Sequence, residues 1–167
     1  MRREHEVRFL LSACTFGAPP ILTAARNGHA DIVEYLISKN ADIEQREGAT
    51  ALWCAAAAGH FDVVKLLVKN GADVNRPSGT NSTPLRAACF DGYLEIVRFL
   101  VEHGADVEIA NRHGHTSLMI ACYRGHVKVA EYLISVGANV NQKSLKGNTA
   151  LHDGAECGNV EIVKLLL

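Results

Sequence analysis

An eleven-residue phrase that returns every 33 residues constrains this 167-residue chain more than any other feature. Each copy begins with threonine, has leucine two residues later and glycine nine residues later, and the four threonines are Thr50, Thr83, Thr116 and Thr149. A fifth copy begins at Pro19, 31 residues before the first threonine, because the connection that follows it is two residues shorter. Units of this length cannot bury an apolar face alone, so the copies must stack side by side.

The pattern within each unit predicts two antiparallel helices. The threonines are suitable N-caps for alanine-rich inner helices, and the glycines are suitable C-terminal stops. Outer helices follow, with apolar residues at i, i+1, i+4 and i+5. A 33-residue period with this phrase resembles the ankyrin repeat. We therefore predict an all-α solenoid of paired antiparallel helices with short β-hairpin-like finger loops.

The period also predicts the division of the chain. Residues 1–17 read as an N-terminal partial cap, and 18–167 read as an ankyrin-repeat domain. The predicted repeats are 18–48, 49–81, 82–114, 115–147 and an incomplete one at 148–167. No polar capping repeat follows the last apolar residues, so we expect a longer array of which this is a part.

Composition excludes several classes of function. A formal net charge of −1 gives no general attraction to nucleic acid, and no apolar run approaches the roughly 20 residues that span a bilayer. Five cysteines without a CxxC pair predict free thiols in the cytoplasm or nucleus. We expect no cofactor and no metal, because His113 and His115 on one finger lack further ligands. His29, His60 and His126 follow the helix-ending glycines, where we expect structural hydrogen bonds.

We also expect no enzyme activity and no catalytic residue. Cys157 and His152 lie five residues apart on one predicted helix, so they point to different faces, and no third group orients the imidazole. A thiol enzyme centred on Cys157 is the contrasting hypothesis.

The concave side of the stack is the predicted binding surface. On each inner helix, the residue after the leucine and the residue four later share one face. These pairs are Leu22/Arg26, Trp53/Ala57, Arg86/Phe90, Met119/Tyr123 and His152/Glu156. Large and aromatic side chains beside Asp91 suit an extended basic peptide. The opposing interpretation is that Trp53 packs on its neighbours and that Arg86, Arg124 and Asp91 are solvated surface charges.

Several phrases are more specific than the repeat itself. The segment 81–92, Asn-Ser-Thr-Pro-Leu-Arg-Ala-Ala-Cys-Phe-Asp-Gly, resembles the Fem family of ankyrin proteins, as do 25–29, 51–56, 110–115 and 146–153. The resemblance implies a substrate receptor of an elongin–cullin ubiquitin ligase. Such receptors hold the C-terminal tail of a client, often with an arginine near its end, in the ankyrin groove. A separate C-terminal box docks the ligase, and no such box appears in this chain.

The resemblance also implies the site. Asp91 would pair with the arginine of the tail. The six implied peptide-binding residues are Asp91, Phe90, Trp53, Ser82, Arg86 and Tyr123. Family members with this specificity carry a second acid on a longer finger, for which Glu44 and Glu47 are the candidates here. The alternative function is a scaffold that binds a folded partner through finger-tip residues such as Arg112 and Lys146.

Overall fold

The computed structural model describes residues 19–44 and 48–167, so the N-terminal partial cap and Glu47 lie outside the described residues. Within that part the chain forms ten α-helices and no β-strand, which confirms the predicted all-α class. The helices are α1 (Pro20–Arg26), α2 (Ala30–Ser38), α3 (Ala51–Ala58), α4 (Phe61–Lys69), α5 (Pro84–Asp91), α6 (Leu94–Glu102), α7 (Ser117–Tyr123), α8 (Val127–Ser135), α9 (Ala150–Glu156) and α10 (Val160–Leu166).

The inner helices begin where the threonines lie. The side-chain oxygens of Thr50, Thr83 and Thr116 accept hydrogen bonds from the backbone N–H three residues later, at 3.2–3.3 Å. These bonds satisfy donors that have no partner inside the helix. At α9 the backbone N–H of Thr149 instead donates to Nδ1 of His152 at 3.3 Å.

The odd-numbered helices form an inner layer, in which each one packs against the next, and the even-numbered helices cover its back. Small residues are fully buried in the inner layer, which allows close approach of the helices: Ala24, Ala55, Ala88 and Ala121. Leucines of the outer layer are equally buried: Leu67, Leu100 and Leu133. The longest described helices have nine residues, and none in this part is long and apolar enough to cross a membrane.

At two junctions between repeats, the glycine that ends an inner helix packs against the imidazole of the next repeat, His60 or His126. Gly92 follows α5 with φ +78°, and a β-carbon there would lie 2.6 Å from Nδ1 of His126. The imidazole Nε2 of His126 bonds to the carbonyl oxygen of Phe90 at 3.0 Å, and His60 does the same with Arg26 at 3.0 Å. The prediction that His60 and His126 are structural hydrogen-bonders is therefore confirmed.

The fingers between helix pairs close like hairpins. Each is held by one backbone bond of 2.8–3.0 Å: Ser78 to Ser82, Asn111 to His115 and Ser144 to Asn148. Neighbouring fingers also bond to one another, because the N–H of Leu145 donates to the carbonyl of His113 at 3.0 Å. This ladder fixes the fingers beside the inner helices and so shapes the concave side.

Candidate functional site

Helices α3 and α5, with the finger that precedes α5, surround a hollow of about 340 Å³, which we call the first hollow. Trp53 and Ala57 line it from α3, Ser82 from the finger, and Arg86, Ala87, Phe90 and Asp91 from α5. Five of the six residues that the sequence implied for the site therefore meet in one space: Trp53, Ser82, Arg86, Phe90 and Asp91.

One part of the first hollow offers hydrogen-bond donors. Arg86 is half-buried, and its Nη1 donates to the hydroxyl of Ser82 at 3.4 Å. Its Nε and the indole Nε1 of Trp53 are buried without a hydrogen-bond partner among the described residues. Burial lowers the pKa of the Arg86 guanidinium, which stays charged at neutral pH. Unsatisfied buried donors are costly, so this region favours an anionic acceptor.

Asp91, the last residue of α5, supplies a carboxylate to the same hollow. Its Oδ1 lies 3.9 Å from Nη2 of Arg124, with both side chains about 40% exposed. The guanidinium of Arg124 lies 4.4 Å from the ring centroid of Phe90, and its Nε donates to the carbonyl of Phe90 at 3.1 Å. Arg124 is therefore held over the ring while its side chain stays partly exposed. At 3.9 Å it is too distant to hydrogen-bond Asp91, so the carboxylate keeps its capacity to accept.

Tyr123 lines a different space, a cavity of about 280 Å³ beside α7 and α9, which we call the second cavity. The other residues around it are His115, Met119, Ile120, Lys146, Asn148, Asp153 and Glu156. The sequence analysis placed Met119 and Leu22 on the open face, but they are 1% and 2% exposed. That expectation was wrong because these side chains pack into the core.

The candidate second acid has a structural role. Oε1 of Glu44 accepts a hydrogen bond from the backbone N–H of Asp73 at 2.9 Å, and Oε2 lies 3.6 Å from Nε of Arg76. Glu44 therefore ties one repeat to the next, and it does not line the first hollow.

The groups proposed for thiol chemistry each have another partner. The thiol of Cys157 donates to the carbonyl of Gly154 at 3.3 Å, and His152 bonds to Thr149. The rings of His113 and His115 are 6.4 Å apart. Across residues 19–44 and 48–167, no three His, Cys, Asp or Glu side chains converge as a metal site requires.

Comparison with known proteins agrees with this architecture. A family model described as ankyrin repeats in three copies matches residues 3–78, 75–144 and 111–167. A fem-1 homolog of Drosophila melanogaster is 59% identical over a stretch that covers 47% of this chain and 13% of that relative. The chain thus spans a small part of the relative's length, and the resemblance to the Fem family is confirmed over that stretch. Ankyrin arrays are protein-interaction modules. The chain belongs to the ankyrin-repeat family.

Proposed function

We propose that this chain binds the C-terminal peptide tail of a client protein in the first hollow, as the client-recognising part of a ubiquitin-ligase substrate receptor. One observation carries the proposal: a single hollow combines two buried donors without acceptors among the described residues, on Trp53 and Arg86, with the carboxylate of Asp91 and the ring of Phe90. A peptide end that carries both a carboxylate and a cationic side chain matches this set.

The donors suit the terminal carboxylate of the tail. Within residues 19–44 and 48–167, Trp53 Nε1 and Arg86 Nε each lack an acceptor, and Ser82 adds a hydroxyl beside Arg86. A carboxylate can accept several such bonds at once, and bonds to charged groups are the strong ones. An arginine near the end of the tail would then place its guanidinium on the ring of Phe90, where it also pairs with Asp91.

The size of the first hollow supports a tail over a folded partner. About 340 Å³ lies at the lower end of small-ligand pockets, so it accommodates a few side chains. A scaffold that used its finger tips would need available side chains there. Arg112 is already committed, because its Nη2 donates to the carbonyl of Gly79 on the neighbouring finger.

The ligase half of the proposal rests on the similarity to a fem-1 homolog. In this proposal the ankyrin stack supplies client recognition, and a different part of the receptor would contact elongin and cullin. The described cysteines of this chain are free, which supports the cytoplasm or nucleus as the place of action.

The test is a fluorescence-anisotropy titration of short peptides that carry an arginine at each of the last four positions. We expect micromolar binding that Asp91→Asn weakens about ten-fold or more, the value of a charge-assisted hydrogen bond. Glu102→Gln is the matched control, since Glu102 is likewise the exposed last residue of a helix but lies in the outer layer. Its affinity should equal that of the wild type.

A second comparison tests the anionic end of the tail. Amidation of the peptide C-terminus should weaken binding to the wild type about ten-fold, and Arg86→Gln should make the free and amidated peptides bind alike. Equal binding of all peptides to the wild type and both variants would show that the first hollow does not recognise C-terminal peptides. Sensitivity to Arg112 or Lys146 instead would favour the finger-tip scaffold.

A further inference from the structure

We infer that the second cavity is a further subsite for a cationic side chain, lysine or arginine, that lies upstream in the same tail. The proposed function supplies the tail, but the cavity's own affinity for a cation is measurable without it. The second cavity combines the carboxylate of Asp153 with an apolar floor and an exposed ring, and the repeats space it from the first hollow.

Asp153 is the buried carboxylate. It is 5% exposed and lines the second cavity from α9. The fully enclosed side-chain atoms that lack a hydrogen-bond partner in the described part of the chain do not include its carboxylate oxygens, so Asp153 is open to the cavity. Partial desolvation raises the pKa of Asp153, because the charged form loses part of its hydration. An incoming ammonium or guanidinium would stabilise that charged form.

Other charged groups face the same space. His115 and Lys146 line the cavity together with Glu156. His115 and His152 act to lower the pKa of Asp153, and Glu156 acts to raise it, yet burial outweighs all of them. The charged and titratable groups around Asp153 therefore do not offset the effect of its burial on the pKa. Glu156 is exposed and adds a second negative charge to the lining.

The rest of the lining suits the aliphatic stem of a long cationic side chain. Met119 and Ile120 form a buried apolar floor, at 1% and 7% exposed. Tyr123 is 47% exposed, so its ring is open to an entering cation. Lysine and arginine bury their methylene stems against such surfaces and keep the charged head beside an acid or an aromatic face.

The spacing places this subsite on the same tail. Helices α5 and α7 are packed neighbours in the inner layer, and the axes of packed helices are about 8–10 Å apart. An extended peptide advances about 3.3 Å per residue, so one repeat corresponds to about three residues. With the terminal carboxylate at Trp53 and Arg86, the tail runs toward α9 in the upstream direction. Asp91 lies on α5 and Asp153 lies on α9, two repeats away, so the second cation belongs about six residues before the first arginine.

The protein carries a separate reporter in each space. Trp53 is the sole tryptophan of the sequence and lines the first hollow. Met119 lines the second cavity, and Met1 is the only other methionine of the sequence. Protein labelled with ¹³C at the methionine methyl groups can be titrated with N-acetyl-arginine amide or N-acetyl-lysine amide. These probes have no carboxylate. We expect a saturable shift of the Met119 methyl signal, and N-acetyl-norleucine amide should produce none.

Asp153→Asn tests the assigned contact, because it removes the charge and preserves the shape. We expect the affinity measured at Met119 to fall at least about five-fold, as for the loss of a charge-assisted pair. Glu156→Gln, an exposed change that leaves the core intact, should weaken it about two-fold. Glu102→Gln is the matched control, because Glu102 is an exposed acid that lines neither space, and it should leave the Met119 response unchanged.

The two proposals fail separately. An absent Met119 shift, or one that neither Asp153→Asn nor Glu156→Gln weakens, overturns the second subsite even if tail peptides still perturb Trp53. Loss of every tail response at Trp53 with an intact Met119 response overturns the proposed function alone. In the peptide assay, a second arginine about six residues upstream of the first should strengthen wild-type binding about five-fold and should add nothing in Asp153→Asn.

Discussion

Arg124 occupies the position that an arginine of the tail needs. Its guanidinium lies 4.4 Å from the centroid of Phe90 and 3.9 Å from a carboxylate oxygen of Asp91. An arginine that stacks on the same ring and pairs with the same acid must displace it. We therefore predict that Arg124→Gln strengthens the binding of arginine-bearing tails.

The magnitude follows from the contacts that Arg124 must give up. An ion pair with both side chains about 40% exposed contributes roughly 0.2–1 kcal/mol. An exposed cation–π contact adds about 0.5–1 kcal/mol. The bond from Nε of Arg124 to the carbonyl of Phe90 makes no use of the ring face or of Asp91, so we leave it out of the sum. A competing term of about 1 kcal/mol corresponds to about five-fold tighter binding in the variant.

The assay is the anisotropy titration with an arginine-bearing peptide and with the same peptide carrying norleucine. Only the arginine peptide should bind more tightly to Arg124→Gln than to the wild type. This difference in affinity should shrink at higher salt, because salt screens the Arg124–Asp91 pair of the wild type. Arg98→Gln is the matched control, because Arg98 lies 4.4 Å from the ring centroid of Tyr132 and lines neither the first hollow nor the second cavity. Weaker or unchanged binding of the arginine peptide by Arg124→Gln would refute the competition and make Arg124 part of the pocket wall.

Three further predictions follow from the fold and the second cavity. Gly71→Ala should lower the free energy of unfolding by about 1 kcal/mol, because alanine must adopt a left-handed backbone there. Gly92→Ala should lower it further, because its β-carbon would also lie 2.6 Å from the imidazole of the next repeat, and thermal unfolding of both variants measures the difference. Burial raises the pKa of Cys122 to about 12, so iodoacetamide at pH 8 should label exposed Cys157 at least about 100-fold faster, and equal rates would contradict its burial. The pKa of Asp153 is raised in the folded state, so its ionised form opposes folding. Asp153→Asn should therefore raise the Tm at pH 7. This increase in Tm should vanish near about pH 3, where the carboxyl is protonated in the folded and the unfolded state.

The helical stack is predictable from sequence because the repeat states the same local rules several times. Thr50, Thr83 and Thr116 cap helices through contacts three residues away, and Gly92 ends a helix through its own backbone angle. Such short-range rules need no knowledge of the neighbouring repeat. Because these local rules agree with one another at a fixed period, the fold can be predicted from the sequence alone.

The site is only partly predictable because its details depend on contacts between repeats. Met119 follows the same leucine position as Trp53 and Arg86, yet it is buried in the core while they line the first hollow. Glu44 reads as a free acid but bonds to the next repeat. Asp153 follows His152 in an ordinary phrase, and only the packing around α9 shows that it lines the second cavity.

The repeat separates the residues that stabilise the stack from those that can recognise a partner. Buried alanines and leucines recur at fixed positions and hold the layers together, so the concave side chains vary without dismantling the fold. On that side, Trp53 Nε1 and Arg86 Nε remain without acceptors among the described residues, at a cost of roughly 1–3 kcal/mol for each unsatisfied group. The rigid stack tolerates this cost because its buried layers supply the stability. The same rigidity keeps the two donors aimed at an incoming acceptor, so a ligand that supplies one recovers the cost as affinity.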